Sequence, residues 1–380
     1  MDLSSAYAPL LAEIGALLPA DAVVLDAHTH LGRDEDGQAL DPAGLLGFLD
    51  QVGATARACT FPLHDPERAP SYRVPNDRVL QWAQESSGRL YPYCRLDPAD
   101  GPVAEAERCL ALGARGIKLH PRAQAFGFGD RAAESIWRVA HEAKVPILVH
   151  AGRGMARMDP LADLALRFPD VVLVLAHAAI ADQGMFASRL RDHPAVVYDT
   201  STFSVFDQLE LFSRIPAERI VFASDTPYGR PLGALYTALR MAAYAGLDER
   251  ERTMLVGGTM TDILAGRPLA DPKPPRVPPI RRVSGRLARL NGYLMMAFAA
   301  AMGSGPPPNF ARGLQFVSLA RAVCRDPDPG VVGATLERID QLLSAGEQLI
   351  GDGGEQTRAA VGLVMAAGVI AATEPLAADS

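Results

Sequence analysis

The sequence predicts a (β/α)₈ TIM barrel with an appended C-terminal all-α helical segment. Three observations carry this reading. Eight short β-branched runs alternate with longer helical patterns between residues 20 and 268. A Pro-rich tract, DPKPPRVPPI at 271–280, then interrupts the chain. Beyond it only helical patterns follow. Strands that alternate with helices imply a parallel sheet, because each crossover returns the chain to the same edge. Eight such units in about 250 residues fit a closed barrel better than an open sheet.

The strands are expected, in order, at 22–27, 56–62, 90–96, 114–120, 145–150, 171–177, 195–200 and 219–225. Between them, AESIWRVAHEAK (133–144) and DPLADLALRFP (159–169) have helical spacing. Asp159 before Pro160 reads as an N-cap followed by proline at the first helical position. The tract at 271–280 can form neither helix nor central strand and reads as a linker or extended arm. It separates a barrel unit, 1–270, from a helical appendage, 281–380. Four helices are expected there, around 282–302, 307–324, 330–350 and 355–372. The longest apolar run, 359–372, is too short to span a bilayer and reads as a buried helix.

The totals narrow the function classes. The chain has 380 residues, 48% hydrophobic and 21% charged, as in an ordinary soluble protein. Its net charge of −7 argues against nucleic acid as a partner, which would need a basic face. No membrane association is expected. The N-terminus lacks a basic stretch followed by an apolar core, so no signal peptide is expected. Cys59, Cys94, Cys109 and Cys324 are scattered, without C-x-x-C spacing. They read as reduced thiols in a cytoplasmic protein.

The eight histidines carry the functional argument. His28 and His30 follow the first strand, His64 the second, His120 the fourth, His150 the fifth and His177 the sixth. Only His141 and His193 lie elsewhere. Active sites of such barrels are built at the C-terminal ends of the strands. Residues two apart on a strand share a face, so His28 and His30 project together and form a clamp for a divalent ion. Asp225 ends the eighth strand, which closes against the first. A lone carboxylate is costly to bury there and calls for a cation. The competing role for Asp225 is to cap the turn before Thr226 and Pro227.

Taken in order, DAHTHLG, GIKLHP, ILVHAG, VLAHAA and FASDTP resemble the amidohydrolase superfamily. More narrowly they resemble its amidohydrolase-related branch of metal-dependent hydrolases and decarboxylases, over residues 20–266. DERERTMLVGGTMTDILAG is similar to the family's last barrel helix, with Gly258-Thr259-Met260 where the family has Gly-Asn-Ala. The resemblance implies His28, His30, His150 and Asp225 as ligands of one divalent metal. It gives His177 a role against substrate or water, or as a ligand in two-metal members. It makes Lys118 a carboxylated metal bridge in two-metal members. The bland alternative is that Lys118 pairs with a carboxylate inside the barrel. The imidazole–carboxylate set suits Zn²⁺, with Mn²⁺ or Fe²⁺ as substitutes.

The expected function is therefore a metal-dependent hydrolase. A metal-activated water would cleave a C–O or C–N bond in a small substrate, with Asp225 and His177 as catalytic residues. Arg153, Arg122, Arg33 and Arg95 lie at or beyond strand ends, where an arginine grips a carboxylate in bidentate fashion. Arg153, His120, Arg122 and Tyr228 are the expected substrate contacts, with Arg230 at the rim. A non-oxidative decarboxylase, as in the aminocarboxymuconate-semialdehyde and hydroxybenzoate types, is the alternative on the same ligand set. An inactive scaffold is the third. The apolar faces of the C-terminal helices suggest a homodimer.

Overall fold

A computed structural model describes residues 3–35, 37–151, 157–202, 204–276, 284–302, 308–327, 330–349 and 354–374. Helix α1 (Leu3–Leu17) precedes the barrel. Then follow β1 (Leu25–Arg33), the short β2 (Ala39–Leu40), α2 (Pro42–Asp50), β3 (Arg57–Pro62), α3 (Arg73–Glu85), β4 (Leu90–Arg95) and α4 (Pro102–Ala111). Next come β5 (Gly116–Leu119), α5 (Arg131–Ala143), β6 (Ile147–Val149), α6 (Asp159–Arg167), β7 (Leu173–Leu175) and α7 (Gln183–Arg189). The barrel unit ends with β8 (Val196–Asp199), α8 (Val205–Arg214), β9 (Ile220–Val221), α9 (Pro231–Tyr244), α10 (Glu249–Thr253) and α11 (Thr259–Leu264).

Among the described residues the strands form one sheet in the order β2-β1-β3-β4-β5-β6-β7-β8-β9, parallel except for the β1–β2 pair. The residues after β9 return to β1 and close the barrel. Ala27 N donates to Phe222 O (2.9 Å), Asp225 N to His28 O (2.9 Å) and His30 N to Thr226 O (2.7 Å). Seven of the eight predicted runs each contain one parallel strand, and the first, 22–27, overlaps β1, which continues to Arg33. The sequence pattern did not reveal α1 or β2.

The amphipathic helices pack as their spacing dictates. In α5, Ala133, Ile136, Trp137 and Ala140 are fully buried against the sheet. Burying a large side chain of this kind contributes about 1.5–3 kcal/mol. One expected detail differs in α6. Its N-cap is Met158, and Asp159 is the first helical residue. Asp159 thus contributes a charge to the positive helix end, not a side-chain cap.

The barrel interior holds Leu25, Ala27, Cys59, Phe61, Tyr93, Leu148, Val174 and Val197, and α11 adds Met260, Ile263 and Leu264 to this cluster. Met260 of the divergent Gly-Thr-Met triplet thus serves packing. Gly257 precedes it where a Cβ would lie 2.1 Å from Val23 O, so only glycine lets this segment approach β1. All four cysteines are free and buried.

Residues 271–276 run without helix or strand, and the remainder of the expected linker lies outside the described residues. The helices α12 (Gly285–Met302), α13 (Pro308–Cys324), α14 (Gly333–Leu349) and α15 (Gly354–Thr373) match the expected four. They pack on one another, and α15 packs on α9, α8 and α1. Leu287, Leu290, Leu336, Ile339, Leu363 and Ile370 join the same buried cluster as the barrel's helical layer. Gly362 passes so close to α1 that a Cβ would meet Tyr7 Oη at 2.4 Å. A buried charge network pins this flank. Arg240 (2% exposed) pairs with Glu13 and Glu374, and Arg338 pairs with the same two carboxylates. No helix among the described residues is long and apolar enough to cross a membrane.

Candidate active site

A β-bulge builds the first half of the site. Leu25 pairs with Arg57 and Asp26 with Ala58, but Thr29 pairs with Thr60, so β1 carries one extra residue. Leu25 and Ala27 face the barrel interior below the bulge. An extra residue reverses the alternation above it. His28 and His30, rather than Thr29 and Leu31, therefore enter the lumen. Thr29 points outward, and its hydroxyl donates to Cys59 O (2.8 Å).

His28 Nε2, His30 Nε2 and Asp225 Oδ1 form a triangle with all three edges at 3.2 Å. All three residues are buried. Asp199, at the end of β8, sets the chemistry of this triangle. Its Oδ2 lies 2.8 Å from His28 Nδ1. A carboxylate can only accept, so Nδ1 carries the proton and the Nε2 lone pair faces the triangle. Burial, reinforced by neighbouring charges, holds His28 and His30 well below the usual imidazole range, so both are neutral. Burial drives Asp225 well above the usual carboxylate range, although Lys118 pulls it down.

A single proton can bridge only one edge of such a triangle. A cation satisfies all three atoms together. Ligand atoms about 2.0–2.1 Å from a tetrahedral zinc lie about 3.3 Å apart, close to the spacing here. The donor set and spacing therefore fit a divalent ion.

His177 joins this centre through an unusual backbone. Its strand, β7, ends at Leu175, and His177, Ala178 and Ala179 have φ of 58°, 56° and 57°. Asp199 Oδ1 accepts from His177 N (2.8 Å), from Ser201 N (2.9 Å) and from Ser201 Oγ (2.6 Å), tying this turn to β8. Ligand atoms of His28, His177 and Asp225 lie within 4.8 Å of one another and can together hold a metal ion. His150 sits further out. Its Nδ1 is 2.9 Å from His177 Nε2, and its ring stacks on His120 with centroids 3.8 Å apart.

Lys118 Nζ is 3.3 Å from His28 Nε2, and burial pushes its amine down to about 7. Among the described residues it forms no ion pair with a carboxylate, contrary to its bland alternative role. Tyr228 stands edge-on to His30, with centroids 5.7 Å apart, and donates to Asp34 Oδ2 (2.6 Å). Arg122 is exposed. Arg33 pairs with Glu67 at the surface. Arg230 donates to Pro227 O and Gly229 O and covers the Phe48 ring. Arg153 lies outside the described residues. Sequence reasoning missed Asp199 and Ser201. The one signal for Asp199 was an acidic residue ending the run AVVYD.

The chain is thus a (β/α)₈ barrel with a His/Asp centre at its C-terminal mouth. A family model described as Amidohydrolase matches residues 25–263, and the chain belongs to that family. Among solved structures, 4-oxalomesaconate hydratase from Rhodopseudomonas palustris is similar in fold, with 16% identity and a TM-score of 0.50. The match covers 64% of this chain and 96% of that one. The Metarhizium anisopliae IDCase matches with 14% identity and a TM-score of 0.50, covering 65% of this chain and 98% of that one. A 2,6-dihydroxybenzoate decarboxylase from Rhizobium has 13% identity and a TM-score of 0.49 over 64% of this chain and 99% of that one. No curated protein matches the sequence.

Proposed function

We propose that the protein is a cytoplasmic metal-dependent hydrolase that holds one divalent ion, Zn²⁺ with Mn²⁺ or Fe²⁺ as substitutes, and cleaves a C–O or C–N bond in a small carboxylate-bearing substrate. The observation that carries this reading is the buried triangle of His28 Nε2, His30 Nε2 and Asp225 Oδ1 with 3.2 Å edges. When bound, such an ion would supply Lewis acidity and bring the pKa of water to about 7. His28 and His30 would hold it with Asp225, and His177 or His150 would complete the set. Asp225 would take a proton from the attacking water and return it to the leaving group. His177, turned inward at the barrel mouth, orients the scissile carbonyl. Tyr228 and His120 flank the entry, and the exposed Arg122 receives the substrate's distal charge. A cytoplasmic location accords with four unpaired cysteines.

The test is elemental analysis of purified protein beside an Asp225→Asn variant. One Zn or Mn per chain, lost or weakened in the variant, is the expected result. Two ions would promote Lys118 to a carboxylated bridge. No metal, even after supplementation, would overturn the proposal in favour of an inactive scaffold. Turnover that releases CO₂ would move the assignment to a decarboxylase on the same residues.

A further inference from the structure

We propose that Arg95 is the specificity residue of this site and receives a carboxylate of the substrate inside the barrel mouth. Arg95 ends β4 and lies in register beside Lys118 on β5. Register neighbours on parallel strands share a face. Tyr93, two residues earlier, faces the interior as well. The Arg95 side chain therefore enters the lumen on the side where Lys118 reaches His28.

Its donors are largely unspent. A guanidinium carries five N–H groups. Nη1 donates to Pro62 O (3.2 Å), and Nη2 lies 3.4 Å from His64 Nδ1, which already meets Tyr72 Oη at 2.6 Å. Nε is buried without a partner. Arg95 is 1% exposed, yet no carboxylate of a described residue pairs with it. The nearby Asp34 is occupied by the Tyr228 hydroxyl. The Tyr72 ring lies 5.1 Å from the guanidinium carbon.

The fold also holds this residue rigidly. Asn76 Oδ1 accepts from Arg95 N (2.9 Å), and Asn76 Nδ2 donates to Arg95 O (3.0 Å) and to Glu105 Oε1 (2.9 Å). Glu105 is in turn gripped by Arg108 at 2.8 Å. A buried cation without a counter-ion is costly, and a chain under no functional demand would do better with an apolar residue there. A planar, fixed, underused guanidinium matches a carboxylate, which it can hold through two parallel bonds.

The inference rests on reading the His28/His30/Asp225 centre as the place of reaction, and the test keeps the two apart. Melting temperature is measured for wild type, Arg95→Met and Asp225→Asn with benzoate, with malonate, and with benzamide as a neutral control. Benzoate or malonate is expected to raise the melting temperature of wild type and Asp225→Asn, with no rise from benzamide. Arg95→Met is expected to lose that rise, to keep its metal, and to melt above wild type when no probe is present. An undiminished rise in Arg95→Met, or no rise in wild type with either anion, overturns the proposal. If Arg95→Met does not fold, Arg95→Lys decides. A point charge cannot replace the fork, so binding weaker by about tenfold is expected, and unchanged binding refutes the assignment. An Arg95-dependent rise in a protein that binds no metal would leave the anion site standing and sink the metal reading.

Discussion

Asp199→Asn is the sharpest probe of the centre, because it changes one proton and almost no volume. Asp199 Oδ1 accepts from His177 N, Ser201 N and Ser201 Oγ at 2.6–2.9 Å, and Oδ2 faces His28 Nδ1 at 2.8 Å. An asparagine must keep its oxygen on the side of the three donors, since turning it would set an NH₂ against two backbone N–H groups. Its NH₂ therefore faces His28 Nδ1. That nitrogen must then accept, and the proton moves to Nε2, where it blocks the lone pair aimed at the triangle. Loss of such an orienting partner typically weakens metal affinity about 10–100-fold, or about 1.4–2.8 kcal/mol at about 1.4 kcal/mol per tenfold. The fold keeps its hydrogen bonds at Oδ1, so the melting temperature of metal-free protein should barely move. Affinity is read by competing Zn²⁺ against a chromophoric chelator, for wild type and variant. Equal affinities within about twofold would refute the claim that Asp199 sets the His28 tautomer.

Two further outcomes are expected. Burial pushes the Glu13 carboxyl up, but Arg240 and Arg338 outweigh it and hold it below the usual range. A lowered folded pKa gives stability that is complete above the unfolded value of about 4.3 and is lost as pH falls through the folded value. Glu13→Gln should therefore be less stable than wild type at pH 7 and show a flatter melting profile in acid; parallel profiles would remove the network from the account. We also propose that the chain is a homodimer through the outer face of the C-terminal helices, where Met296 and Leu319 are about half exposed. Light scattering on the full chain should give twice the monomer mass, and a monomer at micromolar concentration would end that idea.

The parts of the fold legible in the sequence are those set by local pattern. Eight β-branched runs located eight strands, and histidines and an aspartate at their ends located the mouth. What was not legible depends on partners far away in the chain. The β1 bulge exists only relative to β3, yet it decides which of four consecutive residues enter the lumen. Asp199 is 171 residues from the histidine it orients. The apolar stripes of α12–α15 announced burial but not against what. They pack on one another, and α15 also packs on the barrel's own α1, α8 and α9, so part of the apolar surface that suggested a dimer is covered within one chain.

The structure also shows how the site is held in a conformation its backbone would not choose. His177 and Asp225 both have left-handed backbone, with φ of 58° and 57°, and neither is glycine. Each such residue costs on the order of 1–3 kcal/mol. Two features offset this. Asp199 fastens the His177 turn through its backbone N–H, and Asp225 N–H is fastened to His28 O across the barrel seam. The first anchor, Asp199, also orients His28 through Nδ1, and the second ends on the His28 carbonyl itself. The strain at one side chain of the centre is therefore balanced by bonds that position another. A substitution that relaxes either turn would loosen the triangle even if every one of its three residues were kept.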